Sequence, residues 1–172
     1  MVRALTPALL DRLSQRELAN RLGVALPLVT IDANGRPHPM LVSYLELRAY
    51  DAGTIGLVIH AGTGSAQNLA TRDVATLAIV EADLVAYLKL RRLDGPLPVA
   101  ESHLTATGRQ GSEDERLVYF LLAVEDVRED TATAEEAGAR IITGPRYAPA
   151  PALDSPWVRL TLAALATPRA RA

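Results

Sequence analysis

TIGLVIHAGTGSAQNLATRDVATLAIVE, residues 54 to 81, is the stretch whose reading decides the fold. Two apolar runs of strand composition, TIGLVIH and VATLAIV, flank a Gly62-Thr63-Gly64-Ser65 turn and a short helical piece. Such a turn delivers backbone N–H groups and a helix N-terminus to one point, an arrangement that suits an anion such as phosphate. The stretch is therefore either the opening of a nucleotide-binding βαβ unit or a connection inside an antiparallel barrel.

The first alternative has a dinucleotide fingerprint in its favour, since Gly62-x-Gly64 follows a strand, opens a helix and precedes Glu81 at the spacing of a ribose-binding acid. Three features oppose it. Gln67 stands where the third glycine would permit close helix packing. Ser65 to Arg72 provides only about two helical turns, short for a crossover. The strands before it carry hairpin signals, which belong to antiparallel sheets. A P-loop is excluded because no Gly-Lys-Ser/Thr follows, and Ser65 lacks the glycine pattern of a nucleophile elbow.

Upstream, ALPLVTIDANGRPHPMLVSYLEL contains two apolar runs around Asn34-Gly35, the strongest short-range hairpin signal. Pro37 and Pro39 open the second run, where a missing N–H is tolerated at a strand start or an edge. Asp51-Ala52-Gly53 then leads into TIGLVIH, so three strands are expected to follow one another as a meander. Downstream, LVAYLKLRRL alternates as a strand, a Gly-Pro-Leu-Pro break follows, and residues 116–127 (RLVYFLLAVEDV) read as strand or helix with similar ease, Val118, Tyr119 and Phe120 favouring strand at the centre. Thr6 to Leu22 has a capping Thr, Pro7 at the first helical position and Gly23 as a stop, giving one or two N-terminal helices. Ser65 is the expected N-cap of the short inserted helix. Residues 131–140 and 155–166 look helical, separated by a Pro-rich extended linker. The expected fold is mainly β: a six-stranded antiparallel split β-barrel of Greek-key type with N-terminal, inserted short and C-terminal helices. Residues 1–172 are read as a single domain, with a helical segment at 1–23, the barrel at 26–128 and a helical extension at 131–172.

At 172 residues and 49% hydrophobic, the chain suffices for one well-buried domain. A net charge of −2 with scattered arginines gives no electrostatic footprint for nucleic acid. The absence of cysteine excludes disulfides, thiol nucleophiles and Cys-based metal sites. Neither a signal peptide nor an apolar run of membrane-spanning length appears, so the expectation is a cytoplasmic protein with no membrane partner. Basic residues are nearly all Arg, with Lys89 the single lysine, and Ala and Leu are abundant, as in GC-rich bacterial genomes.

The order TIDANGRPHPMLVSY, a strand, GTGSAQNLATRDVATLAIVE and then AYLKLR resembles the pyridoxamine 5′-phosphate oxidase-like family of FMN-binding split barrels. The resemblance covers roughly Leu26 to Arg92 and extends more weakly to Val127. It implies a homodimer with FMN in two clefts between subunits and an oxidation or reduction of a small-molecule substrate. It places the flavin ring along Met40, Leu41, Val42 and Ser43, whose backbone groups meet the ring's polar edge. The phosphate falls to His38 and Ser43 on the strand and to Thr63, Ser65, Ala66, Gln67 and Asn68 at the turn. Ser65 and Gln67 stand where many relatives carry Lys or Arg, and Lys89 and Arg72 are the candidates to compensate.

Other residues read more plainly. His60 follows an apolar strand and is either a cofactor contact or a satisfied, partly buried histidine; His103 has no motif around it. The three histidines lack metal-ligand spacing, so no metal is expected. Glu113-Asp114-Glu115 and the run Glu125 to Asp130 read as solvent-facing charge. Trp157-Val158-Arg159-Leu160 reads as part of an amphipathic helix. The neutral phosphate turn motivates an alternative function, a non-enzymatic dimeric barrel that holds haem, another small ligand or no cofactor.

Overall fold

The computed structural model describes residues 4–82, 84–99, 116–130 and 141–169. In chain order the elements are helix α1 (Pro7–Leu13), strands β1 (Ala25–Ile31), β2 (Pro37–Ser43), β3 (Leu47–Asp51) and β4 (Thr54–His60), then helix α2 (Gly64–Arg72). Strands β5 (Val74–Glu81), β6 (Leu84–Pro98) and β7 (Leu117–Asp130) follow, and helix α3 (Pro156–Ala164) comes last. The protein is mainly β with a few helices, as the hydrophobic patterning indicates.

All strands pair antiparallel in one sheet of order β2-β1-β5-β6-β7-β4-β3. Among the described residues there are seven strands rather than six, because the apolar run read as one strand breaks into β2 and β3. The cause is Glu46. Its Oε2 accepts from the Ser43 N–H at 2.7 Å and from Ser43 Oγ at 2.8 Å, and its own N–H donates to the Ser43 carbonyl at 3.0 Å. The amide of Gln15 lies within bonding reach of the carbonyls of Tyr44 (3.1 Å), Leu45 (3.3 Å) and Leu47 (2.9 Å). A turn held by side chains in this way needs neither Gly nor Pro.

The turn also revises the meander. β2 pairs with β1 and β3 with β4, but β2 and β3 occupy opposite edges of the sheet. Only Tyr44, Leu45 and Glu46 separate them, a span of roughly 14 Å at full extension. The sheet therefore rolls until its edges approach, yet no ladder joins β2 to β3 among the described residues, so the barrel is not closed by hydrogen bonds. The Gly-Pro-Leu-Pro break is likewise no break. β6 runs through it with shifts of register against β7, and Gly95, at φ +105°, lies so close that a Cβ would sit 2.6 Å from the Tyr119 carbonyl oxygen.

Alternation along the strands fills the rolled sheet. Leu26, Leu28, Val42, Leu57, Leu77, Leu88 and Phe120 meet α1 and the Leu69 side of α2 in one buried cluster. β4 is buried on both faces, since Val58 joins Tyr119 and Leu165 in a second cluster beneath α3. α3 thus packs on the outer face of β4 and β7 of its own chain. The N-terminal segment is clamped by Glu81, which bonds the Tyr44 hydroxyl and lies 3.1 Å from Arg12 and 3.6 Å from Arg21. Burial and the neighbouring carboxylate push the Tyr44 phenol far above its usual range. No described helix is long and apolar enough to cross a membrane. His103, Glu113-Asp114-Glu115 and the expected helix at 131–140 lie outside the described residues.

Candidate functional site

Thr63, not Ser65, caps α2: its backbone is extended, and its hydroxyl accepts from the Ala66 N–H at 3.2 Å. The reason is register. The helix begins at Gly64, two residues earlier than Ser65 as cap would require for its first turn. The N–H groups of Gly64 and Ser65 fall in the first turn, where amides have no intrahelical partner. Across from them is His38, on the rim of β2. A Cβ on Gly64 would fall 2.8 Å from His38 Nε2, so glycine is what lets the imidazole lie against the helix start.

Behind that rim the polar side chains serve the fold. Ser65 is fully buried, and Thr30 Oγ1 lies 3.4 Å from its hydroxyl and 3.3 Å from the His38 carbonyl. The same Thr30 oxygen accepts from Asn68 Nδ2 at 2.9 Å. This network pins α2 to β1 and β2. At the helix's other end Arg92 donates to the carbonyls of Leu69 at 2.8 Å and Gly95 at 3.0 Å. Arg72 reaches the Ala33 carbonyl at 2.5 Å. Ala66 is buried in the core, whereas Gln67 is exposed beside a groove of about 430 Å³ that Asn68, Thr71 and Arg72 also border.

The remaining expected residues separate. Met40 and Val42 pair with Leu28 and Leu26 and share their inward face, while Leu41 is 46% exposed on the outer face. Lys89 also lies outside, on the exposed side of β6, where its ammonium donates to Thr76 at 3.2 Å. It belongs to a face with Tyr87 and Thr76, away from the inward Leu88 and Leu90. The structure therefore gathers His38, Thr63, Ser65 and Asn68 around the start of α2, sets Gln67 on the exposed side of the helix and leaves Lys89 apart.

A second concavity went unread in the sequence. The extended segment 144–155 crosses the end of the barrel, and beneath it is a cavity of about 450 Å³ walled by Ser43, Glu46, His60, Tyr147, Pro149 and Trp157. Burial raises the Glu46 carboxyl above its ordinary range, against the lowering effect of its Ser43 bonds and of His60. Burial and Glu46 likewise raise the Tyr147 phenol. Ser43 Oγ directs its proton to Glu46, so it is a holder of that carboxylate rather than an activated nucleophile. Among the described residues no group of His, Asp and Glu could hold a metal ion.

No protein-family model and no curated protein matches the sequence. Among solved structures, one described as a putative pyridoxamine 5′-phosphate oxidase from Lactobacillus delbrueckii superposes with a TM-score of 0.51, at 13% identity, over 74% of this chain and 95% of that one. The fold is that of the pyridoxamine 5′-phosphate oxidase-like proteins. An FMN-binding protein from Syntrophomonas wolfei is also similar (TM-score 0.48, 11% identity, 72% of this chain and 87% of that one). So is HupZ of Group A Streptococcus (TM-score 0.46, 14% identity, 83% of this chain and 99% of that one). On this fold, the first turn of α2 beside His38 and the cavity under segment 144–155 are two places where polar groups border the surface.

Proposed function

We propose that this chain is a homodimeric, cytoplasmic flavin-binding protein, with FMN as cofactor and a small molecule as redox substrate. The observation that carries the reading is the opening of α2 beside His38, which brings two first-turn helix amides and an imidazole to one rim. The Gly64 and Ser65 N–H groups would hold the phosphate, with His38 beside them. The backbone of Met40 to Ser43 would border the ring. Bound flavin supplies the electron transfer, and the chain supplies position and shielding. The outer face of β2, β1, β5 and β6 is the proposed contact between subunits, because it presents Leu41 at 46% and Tyr87 at 39% exposure among half-buried Pro27, Val29 and Ile31.

The donors fit a phosphate in their backbone and not in their charge. Arg72 is engaged by Ala33, Lys89 faces the other way, and each absent charge-assisted bond weakens the grip by about 1–3 kcal/mol. Titration of the protein into FMN, followed by flavin fluorescence, should give weak saturable binding. Gln67→Arg, at an exposed position beside the groove, should tighten it about tenfold. No saturable binding by either protein would overturn the flavin reading.

One observation favours a second reading, a barrel that binds another ligand without redox chemistry: Ser65, Asn68 and Arg72 direct their polar groups inward or to a neighbouring carbonyl. The absorbance spectrum of the protein as purified separates the two, since flavin, haem and a colourless protein are unmistakable.

A further inference from the structure

We propose that the cavity under segment 144–155 is a binding site for a small organic cation, an ammonium or quaternary ammonium group on an apolar body. The site lies apart from the α2 turn and shares Ser43 with the β2 segment proposed to border the flavin ring. Its volume of about 450 Å³ is that of a small-molecule pocket. One wall is apolar and aromatic: Trp157 stands at the start of α3, and Tyr147, Pro149 and Pro151 come from the crossing segment. The lining also carries the Glu46 carboxylate, fixed in place by two bonds from Ser43 at 2.7 and 2.8 Å.

The chemistry selects the charge of the occupant. A buried carboxylate repels anions, and among the described residues no Lys or Arg lines the cavity to receive one. Proline and aromatic rings cover the apolar body of a guest, and the faces of Trp and Tyr attract a cation that has left water. A cation beside Glu46 also compensates a carboxylate that burial has withdrawn from water. His60 completes the rim on the β4 side.

The test uses the full chain and its own reporter, because Trp157 is its single tryptophan and lines the cavity. Benzyltrimethylammonium is titrated while Trp fluorescence is recorded, with benzyl alcohol and phenylacetate as neutral and anionic counterparts. The expected result is a saturable change for the cation, at least tenfold weaker binding of benzyl alcohol, and none for phenylacetate. Glu46→Gln should weaken the cation at least tenfold, and Ser43→Ala a few-fold. No saturable change with the cation, equal binding of phenylacetate, or an unaltered Glu46→Gln would overturn the proposal. Should Glu46→Gln fail to fold, wild-type affinity must fall as pH is lowered through the titration of Glu46. The titratable groups facing it are His60 and Tyr147, whose phenol is raised by burial and by Glu46. His60→Gln separates the His60 contribution from that of Glu46, and pH-independent affinity in that variant overturns the proposal.

Discussion

The first turn of α2 and the cavity beneath segment 144–155 are opposites in how they are built. The turn is one consecutive run, Thr63 to Asn68, whose order resembles a phosphate loop; folded, the Ser65 hydroxyl and the Asn68 amide both turn to Thr30. The cavity draws on residues 43–46, 60, 147–151 and 157, none of which forms a motif, yet it gathers a carboxylate, an imidazole and two aromatic rings around open space. Contiguity makes a site visible in sequence without making it available. Availability depends on whether a site's groups border open space or are packed into the interior, and that is decided by tertiary structure.

The inward closure of the α2 turn depends on Thr30. Thr30→Val removes the shared oxygen and leaves Ser65 Oγ and Asn68 Nδ2 without their partner, which should cost about 2–3 kcal/mol in urea denaturation. If those side chains were kept for a ligand instead, stability would be unchanged and only FMN affinity would fall. Glu46 sharpens the other half. Its raised carboxyl means that the folded state holds the proton more tightly than the unfolded state. Stability therefore falls as pH rises from the ordinary value of about 4.5 through the raised one, and the cost is then constant above it. Glu46→Gln, which can still accept from Ser43, should remove that part of the slope and be relatively more stable at neutral than at acid pH, as read from melting temperatures across pH. The smallest effect is at Lys89. Its single exposed bond to Thr76 predicts that Lys89→Ala changes stability by less than about 0.5 kcal/mol and FMN affinity not at all, measured by denaturation and flavin titration.

Much of the fold was legible where the local signal and the tertiary outcome agree. Asn34-Gly35 makes the β1–β2 hairpin, with the Asp32 N–H donating to the Arg36 carbonyl at 2.9 Å. TIGLVIH and VATLAIV are strands, and the alternation of LVAYLKL already turns Lys89 outward from Leu88 and Leu90. β3 was hidden because its boundary is written in the Glu46 side chain and in Gln15, far upstream in the chain, rather than in Gly or Pro. The N-cap was misplaced because Thr63 and Ser65 are both good caps and only the start of the helix at Gly64 decides between them. The cavity had one faint signal, an acid inside the apolar run Leu45-Glu46-Leu47. Trp157 looked like any residue of an amphipathic helix, and nothing short of the crossing segment's path brings it to Glu46.

The two prolines of β2 have a consequence for association. Pro37 and Pro39 share one parity on an edge strand, and neither has an N–H to offer. A passing strand from another chain finds that margin short of donors, so the sheet resists extension in the plane of its hydrogen bonds. Growth into an open-ended stack of sheets is discouraged at the same margin that shapes the His38 rim, and any pairing of copies is left to the faces of the sheet.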